Sequence, residues 1–257
     1  HTGTARYGAG GGIVWDSNSQ EEHRELVSKT HILSGVAACE EFELFETMAW
    51  STNDGASNLD LHFKRMARSA KYFGMPFDPA RARAAIAQAK ADCVPASSAT
   101  RFRLRLSLAG DGAYTATLQP FRNHTDGTQP VAVAPSPVSS HDPTLAHKTN
   151  QRQVYKRARE EVKSACGEGV EPLLVNERGE ITETDIANVV YQLDGQIYTP
   201  PMRCGLLPGV LRESLLESGE LQERVLLAED LAGVERLYLI NDLRGWRKAQ
   251  LVGIKTA

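Results

Sequence analysis

The 257-residue chain carries none of the compact motifs that announce a chemistry by themselves. There is no Gly-x-Gly-x-x-Gly turn with an acidic residue about 20 positions on, no Walker A loop and no His-Glu-x-x-His pair. Cys39, Cys93, Cys166 and Cys204 are too scattered for a metal site or a disulfide framework, which fits a reducing compartment. What remains is lysines, arginines and carboxylates, whose chemistry depends on their surroundings. A lysine becomes a nucleophile or base once desolvation or a nearby cation lowers the pKa of its amine. An arginine fork and the free N–H groups of a helix N-terminus both suit phosphate or carboxylate. Arg103 and Arg105 fall on one face of an alternating segment, and Gly209 stands where a helix opens. Taken alone, Lys148 is a lysine after a loop and Glu183 a glutamate after a turn.

The elements that would position these residues follow from periodicity. Residues 43–50 have strand content, and Asn53-Asp54-Gly55 turns the chain. Leu59, His62, Phe63, Met66, Ala70 and Phe73 recur at helical spacing, with Lys64, Arg65, Arg68 and Lys71 on other faces, until Gly74 and Pro76 end the pattern. A second helix is expected over about 79–91. Residues 101–108 alternate with period two and lead through Gly110-Asp111-Gly112 into a hairpin partner at 114–118. Loop formers concentrate at 120–130, where a domain boundary is expected. Beyond it come a strand at 131–134, a helix at 155–165, a strand at 172–176 turned by residues 177–180, and β segments at 187–192 and 196–199 around Asp194-Gly195. A helix at 210–218 and a buried strand at 236–240 complete the pattern.

Composition bounds the rest. A hydrophobic content of 41% and a charged content of 24% are ordinary globular values, and a formal charge of -3 gives no footprint for nucleic acid. No apolar run approaches the roughly 20 residues that span a bilayer, and no signal-peptide core is present, so a soluble, cytoplasmic protein is expected.

The order of the short motifs carries a resemblance. Phe45-Glu46-Thr47-Met48, then Leu61-His62-x-x-Arg65-Met66-x-x-Ser69-Ala70, resembles the opening of class IV pyridoxal-phosphate enzymes. His147-Lys148-Thr149-Asn150-x-Arg152-x-x-Tyr155 is similar to their cofactor-lysine segment, and the arginine four positions after the lysine resembles the aminodeoxychorismate lyase branch. Val175-Asn176-Glu177-x-Gly179-Glu180-Ile181-Thr182-Glu183, with Asn188, resembles the segment that meets the pyridine nitrogen. Tyr198-Thr199-Pro200-Pro201 and Leu207-Pro208-Gly209-Val210-Leu211-Arg212 are similar to the second phosphate-binding turn. The likeness spans about residues 40–250.

The resemblance implies an α/β (α+β) class IV fold with two α/β domains, 36–126 and 130–257, the cofactor between them and a homodimer completing the site. Lys148 would bond to the cofactor, Glu183 would face its ring nitrogen, and Arg65 with the N–H groups at Gly209, Val210 and Leu211 would hold its phosphate. Asn241 is a further phosphate or substrate contact, and no metal is implied. Arg103, Arg105 and Arg152 are candidates for substrate carboxylates, at least one of them a surface residue. His62 and His147 are read as structural, and Glu177 and Glu180 as solvated turn residues.

Residues 10–17, with Glu22 and Glu25, resemble the closing strand and helix of chorismate-using synthases. The chain is therefore expected to be the carboxy-terminal part of a fused synthase and lyase, with residues 1–35 a remnant that cannot form a chorismate site alone. The implied activity is elimination of pyruvate from 4-amino-4-deoxychorismate to give p-aminobenzoate. The alternatives are a branched-chain or D-amino-acid aminotransferase of the same class, and a non-catalytic domain that stabilises a fused synthase.

Overall fold

The structure, a computed structural model, describes residues 42–93, 99–122 and 127–253. The synthase-like remnant at residues 1–35, with the strand and helix it resembles, lies outside the described residues. The alternation at 101–108 becomes strand β3 (Arg101–Ala109). Phe102, Leu104 and Leu106 are fully buried on one face, while Arg101, Arg103 and Arg105 stand on the other. β3 lies between β1 (Glu43–Ser51) and β4 (Tyr114–Pro120), and the short β2 (Gly55–Ala56) forms the edge beside β1, giving a four-stranded antiparallel sheet.

Helix α1 (Leu59–Phe73) packs against β1, and α2 (Pro79–Cys93) packs against β4. Gly74 ends α1 in the left-handed region at φ 66°, its N–H returning to the carbonyls of Ala70 and Lys71. One residue departs from its expected place. Arg65, which the helical spacing set off the apolar face and the resemblance assigned to a phosphate, is buried in the apolar stripe with His62, Phe63 and Met66. Its partner, described below, is a carboxylate on β1.

Eight strands form the second sheet: β5 (Gln129–Val133), β6 (Glu171–Val175), β7 (Ile181–Thr184), β8 (Asn188–Leu193), β9 (Gln196–Thr199), β10 (Gln222–Glu223), β11 (Arg236–Asn241) and β12 (Gly245–Leu251). Their order is β10-β9-β8-β11-β12-β5-β6-β7, and β7 pairs again with β8, closing six of the strands on themselves. Val131, Leu173, Ile181, Val189, Tyr191 and Leu239 share its core. Helix α3 (Gln153–Cys166) docks through Tyr155, Ala158 and Val162 on Ala132, Ala134 and Leu174. A fully buried valine such as Val162 contributes about 1.5–3 kcal/mol to that docking. Helix α4 (Val210–Glu217) rests on Val190 and Ile240 through Leu215. Asp194-Gly195 forms the β8–β9 turn with both residues at positive φ, 51° and 72°, as that dipeptide requires.

Four strands were not expected, the two-residue β2 and β10 and the longer β7 and β12. β7 is completely buried although it reads Ile-Thr-Glu-Thr, and β12 lies between β11 and β5 although Arg247 and Lys248 sit within it. In both, polar residues find partners that sequence does not display. Arg247 donates to both oxygens of buried Glu171, at 2.6 and 3.1 Å. No helix among the described residues is long and apolar enough to cross a membrane.

Candidate active site

The segment carrying Lys148 is pinned to β1 as an added short rung. Phe45 N–H donates to the Lys148 carbonyl at 2.9 Å, and Asn150 N–H donates to the Glu43 carbonyl at 3.1 Å. The Asn150 side chain in turn accepts the Glu43 N–H at 3.0 Å. Pairing on both sides fixes the backbone of Lys148 and sends its side chain into a cleft walled by Thr47, Arg65, Arg152, Glu183 and Gly209. Burial there, reinforced by the charges of Arg65 and Arg152 against the opposing pull of Glu46 and Glu183, lowers its amine from 10.5 to about 7. Near neutrality the amine is therefore available unprotonated, the form that attacks a carbonyl or takes a proton.

Glu183 sits on β7 with its carboxylate in the same cleft. Its Oε1 accepts from the Tyr155 hydroxyl at 2.7 Å and from Leu207 N–H at 3.1 Å, and its Oε2 faces Asn188 Nδ2 at 3.3 Å. Burial raises its pKa from 4.5 to about 7, against the lowering effect of those hydrogen bonds and of Arg152 and Lys148. A positively charged ring N–H placed opposite such a carboxylate would keep it ionised.

Arg65 is held by a buried relay. It donates through Nε to Glu46 Oε1 at 2.9 Å, through Nη2 to Glu46 Oε2, and through Nη1 to the Pro208 carbonyl at 3.0 Å. His62 bridges Glu46 (Nδ1 to Oε2, 2.7 Å) and Asp242 (Nε2 to Oδ2, 3.1 Å), and Asp242 also accepts from Ser57 and Asn58. Burial lowers the His62 pKa, but its hydrogen bonds to Asp242 and Glu46 dominate and raise it, so the relay favours the imidazolium. Three of the five guanidinium N–H groups are used in these bonds, leaving two to reach an anion.

The contact to Pro208 brings Arg65 to the head of α4. Gly209 is the N-cap, its carbonyl accepting the first helical bond from Glu213, so the N–H groups of Val210 and Leu211 have no partner within the helix. A Cβ on Gly209 would lie 1.9 Å from Asn188 Oδ1, so the backbone approaches this wall as only glycine allows. The Leu211 side chain points away, into the cluster with Val190 and Leu215. A lysine of lowered pKa, a buried carboxylate, an arginine with two unused donors and a helix N-terminus thus converge on one cleft. That donor set fits a phosphorylated pyridine aldehyde: amine for the aldehyde, carboxylate for the ring nitrogen, guanidinium and backbone N–H groups for the dianion.

The remaining expected residues divide. Arg152 lines the cleft, donates to the Asp185 carbonyl and lies 4.2 Å over the Tyr155 ring. Arg105 does not line the cleft: it is half-exposed, meets Glu43 at 3.5 Å and packs 3.9 Å over the Phe45 ring, 4.9 Å from which lies the Lys148 amine. Arg103 lies outside this group, exposed and donating to Gln119. Asn241 lines the cleft, but its amide holds the wall: it donates to the Ile186 carbonyl at 3.0 Å and accepts Arg244 N–H at 2.8 Å. His147 stacks on Tyr72 and meets Ser69, with burial and then Arg68 pulling its pKa to about 4. Three groups had no role assigned from sequence. Glu46 and Tyr155 stand inside recognisable motifs but gave no sign of their partners, and Asp242 gave no signal at all.

Comparison with known proteins agrees with this chemistry. Residues 43–252 match the amino-transferase class IV family. A Schizosaccharomyces pombe protein provisionally named an aminodeoxychorismate lyase is 30% identical over 218 residues, covering 83% of this chain and 91% of that one. A solved structure from Mesorhizobium loti, provisionally described as an amino-acid aminotransferase, shares 38% identity with a TM-score of 0.74, covering 82% of this chain and all of that one. A Legionella pneumophila structure, provisionally described as a 4-amino-4-deoxychorismate lyase, superposes with a TM-score of 0.67 at 20% identity, over 82% of this chain and 84% of that one. At that identity it supports the fold alone. The match across residues 43–252 and the yeast relative together place the chain in the class IV aminotransferase family, whose cofactor is pyridoxal phosphate.

Proposed function

We propose that the chain is a 4-amino-4-deoxychorismate lyase, releasing pyruvate from its substrate to leave p-aminobenzoate. The observation that carries this reading is a pair of guanidinium groups, Arg152 in the wall of the cleft and Arg105 on the Phe45 ring that the Lys148 amine also meets. Arg105 shares the Phe45 ring with the lysine, and Arg152 is one of the cations that lower its pKa. A cyclic substrate with two carboxylates needs two such partners. The yeast relative's name supports the same reading.

In this mechanism Arg65 and the N–H groups of Val210 and Leu211 bind the cofactor phosphate, and Glu183 faces the ring nitrogen. Bound there, pyridoxal phosphate supplies an electron sink for the pair released when the substrate loses a proton. Lys148, as the neutral amine, takes the proton from the amine-bearing ring carbon. The electron pair left behind completes the aromatic ring as the bond from ring carbon to enolpyruvyl oxygen breaks. Lys148 returns the proton to the enolpyruvyl methylene, and pyruvate leaves. Arg105 and Arg152 hold the carboxylates and so orient the ring. The active form in this reading is a homodimer, checked by light scattering of the cofactor-loaded protein.

The second reading, an amino-acid aminotransferase, is favoured by the Mesorhizobium loti structure and uses the same Lys148 and Glu183. The two separate when the loaded protein is given aminodeoxychorismate and, in parallel, amino acids with 2-oxoglutarate. Equal p-aminobenzoate and pyruvate with little glutamate is the expected result. Glutamate without p-aminobenzoate transfers the assignment to the aminotransferase, and silence in both assays with cofactor bound rejects catalysis. Arg105→Ala and Arg152→Ala are each expected to raise KM roughly tenfold to hundredfold, the weight of a charge-assisted hydrogen-bonded pair, while Arg103→Ala leaves it unchanged.

A further inference from the structure

Tyr155 takes no part in the mechanism above. It lies in the first turn of α3, seven residues after Lys148, in the apolar cluster that docks the helix. Its hydroxyl nevertheless donates at 2.7 Å to Glu183 Oε1, which also receives Leu207 N–H at 3.1 Å. Among the described residues the other oxygen, Oε2, has only the long approach of Asn188 Nδ2 at 3.3 Å. The carboxylate is thus asymmetric: one oxygen is fully engaged, the other is left for a donor in the cleft.

We infer that Tyr155 is a positioning residue, which turns Glu183 Oε2 toward the cofactor's ring nitrogen and weakens the carboxylate as a base, so that their shared proton stays on nitrogen. The inference rests on the placement of Glu183 at that nitrogen and is independent of the choice between lyase and aminotransferase. A buried O–H donor stabilises the ionised carboxylate over the protonated acid, opposing the burial that drives Glu183 upward. The charged groups that act on Tyr155 are Glu183 on β7, Arg152 at the head of its own helix and Asp142 ahead of the turn Pro143–Ala146. Burial first, then Glu183, raises the phenol well above 10, so it stays a donor across the working pH range. The Arg152 guanidinium, 4.2 Å over the ring, draws on its electrons and strengthens the O–H as a donor. Without that hydroxyl, the proton shared by nitrogen and carboxylate moves toward Glu183, and the electron sink weakens.

The test uses the holoenzyme loaded with pyridoxal phosphate carrying nitrogen-15 in the ring, whose chemical shift reports protonation directly. Between pH 7 and 8, Tyr155→Phe is expected to move the signal from the wild-type position toward the neutral-pyridine value, a roughly tenfold to hundredfold change in proton partition. Replacing Tyr155 with 3-fluorotyrosine, a more acidic phenol of nearly the same shape, moves it toward the protonated value and keeps the test open if the phenylalanine variant does not fold. Glu183→Gln is the control. If that variant shifts the signal while both Tyr155 substitutions leave it at the wild-type position, Tyr155 only fills space and the inference falls. If Glu183→Gln also leaves it unmoved, Glu183 does not face the nitrogen, and the placement on which the inference rests falls with it.

Discussion

Replacing Glu46 with Gln removes the carboxylate that joins Arg65 on α1 to His62 and, through it, to Asp242 after β11. Burial alone would raise this carboxyl. The charge of Arg65 and the hydrogen bonds from His62 and Arg65 outweigh burial and hold it at about 2, against 4.5 for the free group. At about 1.4 kcal/mol per pKa unit, that gap corresponds to about 3 kcal/mol of stability. An independent scale agrees, since removing one member of a buried ion pair costs about 3–5 kcal/mol. Because the folded value lies below the unfolded one, the contribution is fully present above pH 4.5 and is lost as pH falls toward 2. His62 acts from the other side. Its folded pKa is raised, so its contribution is complete below pH 6.5 and is lost as pH rises through the folded value. Urea unfolding followed by tryptophan fluorescence is the assay. Glu46→Gln is expected to be about 3 kcal/mol less stable than wild type at pH 6, with the difference narrowing at pH 4 and again at pH 3. Affinity for pyridoxal phosphate, read from fluorescence quenching, should fall in parallel because Arg65 loses its fixed orientation. A variant within about 0.5 kcal/mol of wild type at pH 6, or a difference that does not change below pH 4.5, would refute the relay.

Two further outcomes follow from the cleft and a third from the second sheet. Apoprotein mixed with pyridoxal phosphate and quenched with borohydride should label Lys148 with a rate that rises through about pH 7, because its amine is lowered to about 7 and neutral above it. A midpoint near 10 would contradict the burial argument, and peptide mapping of Lys148→Ala should show no single lysine labelled in its place. Gly209→Ala puts a methyl group 1.9 Å from Asn188 Oδ1, so thermal melting should show a loss of about 1–3 kcal/mol and titration a weaker cofactor affinity; wild-type values for both would mean that the wall yields freely. Glu171→Gln leaves buried Arg247 without a full countercharge, and a loss of about 3–5 kcal/mol in urea unfolding is expected, whereas a neutral result would show that water reaches the pair.

Sequence alone determined the parts of this protein that local pattern controls. Alternation at 101–108 marked β3 and its buried face, helical spacing from Leu59 to Phe73 marked α1, and Asp194-Gly195 marked a hairpin, because each pattern reports which face of a short segment is buried. The order of the motifs was enough to select Lys148, Arg65, Arg152, Glu183 and Gly209, which the fold brings to one cleft. Tertiary structure decided what those residues touch. Glu46, His62 and Asp242 form one relay although His62 and Asp242 are 180 positions apart, and Arg105 separates from Arg103 because β1 sets Phe45 against it, the ring that the Lys148 amine also meets. The same reason hid β7, β12 and the burial of Arg65. Each carries polar groups that read as solvated, and only partners supplied by distant segments, Glu46 for Arg65, Tyr155 for Glu183 and Glu171 for Arg247, offset the cost of taking them out of water.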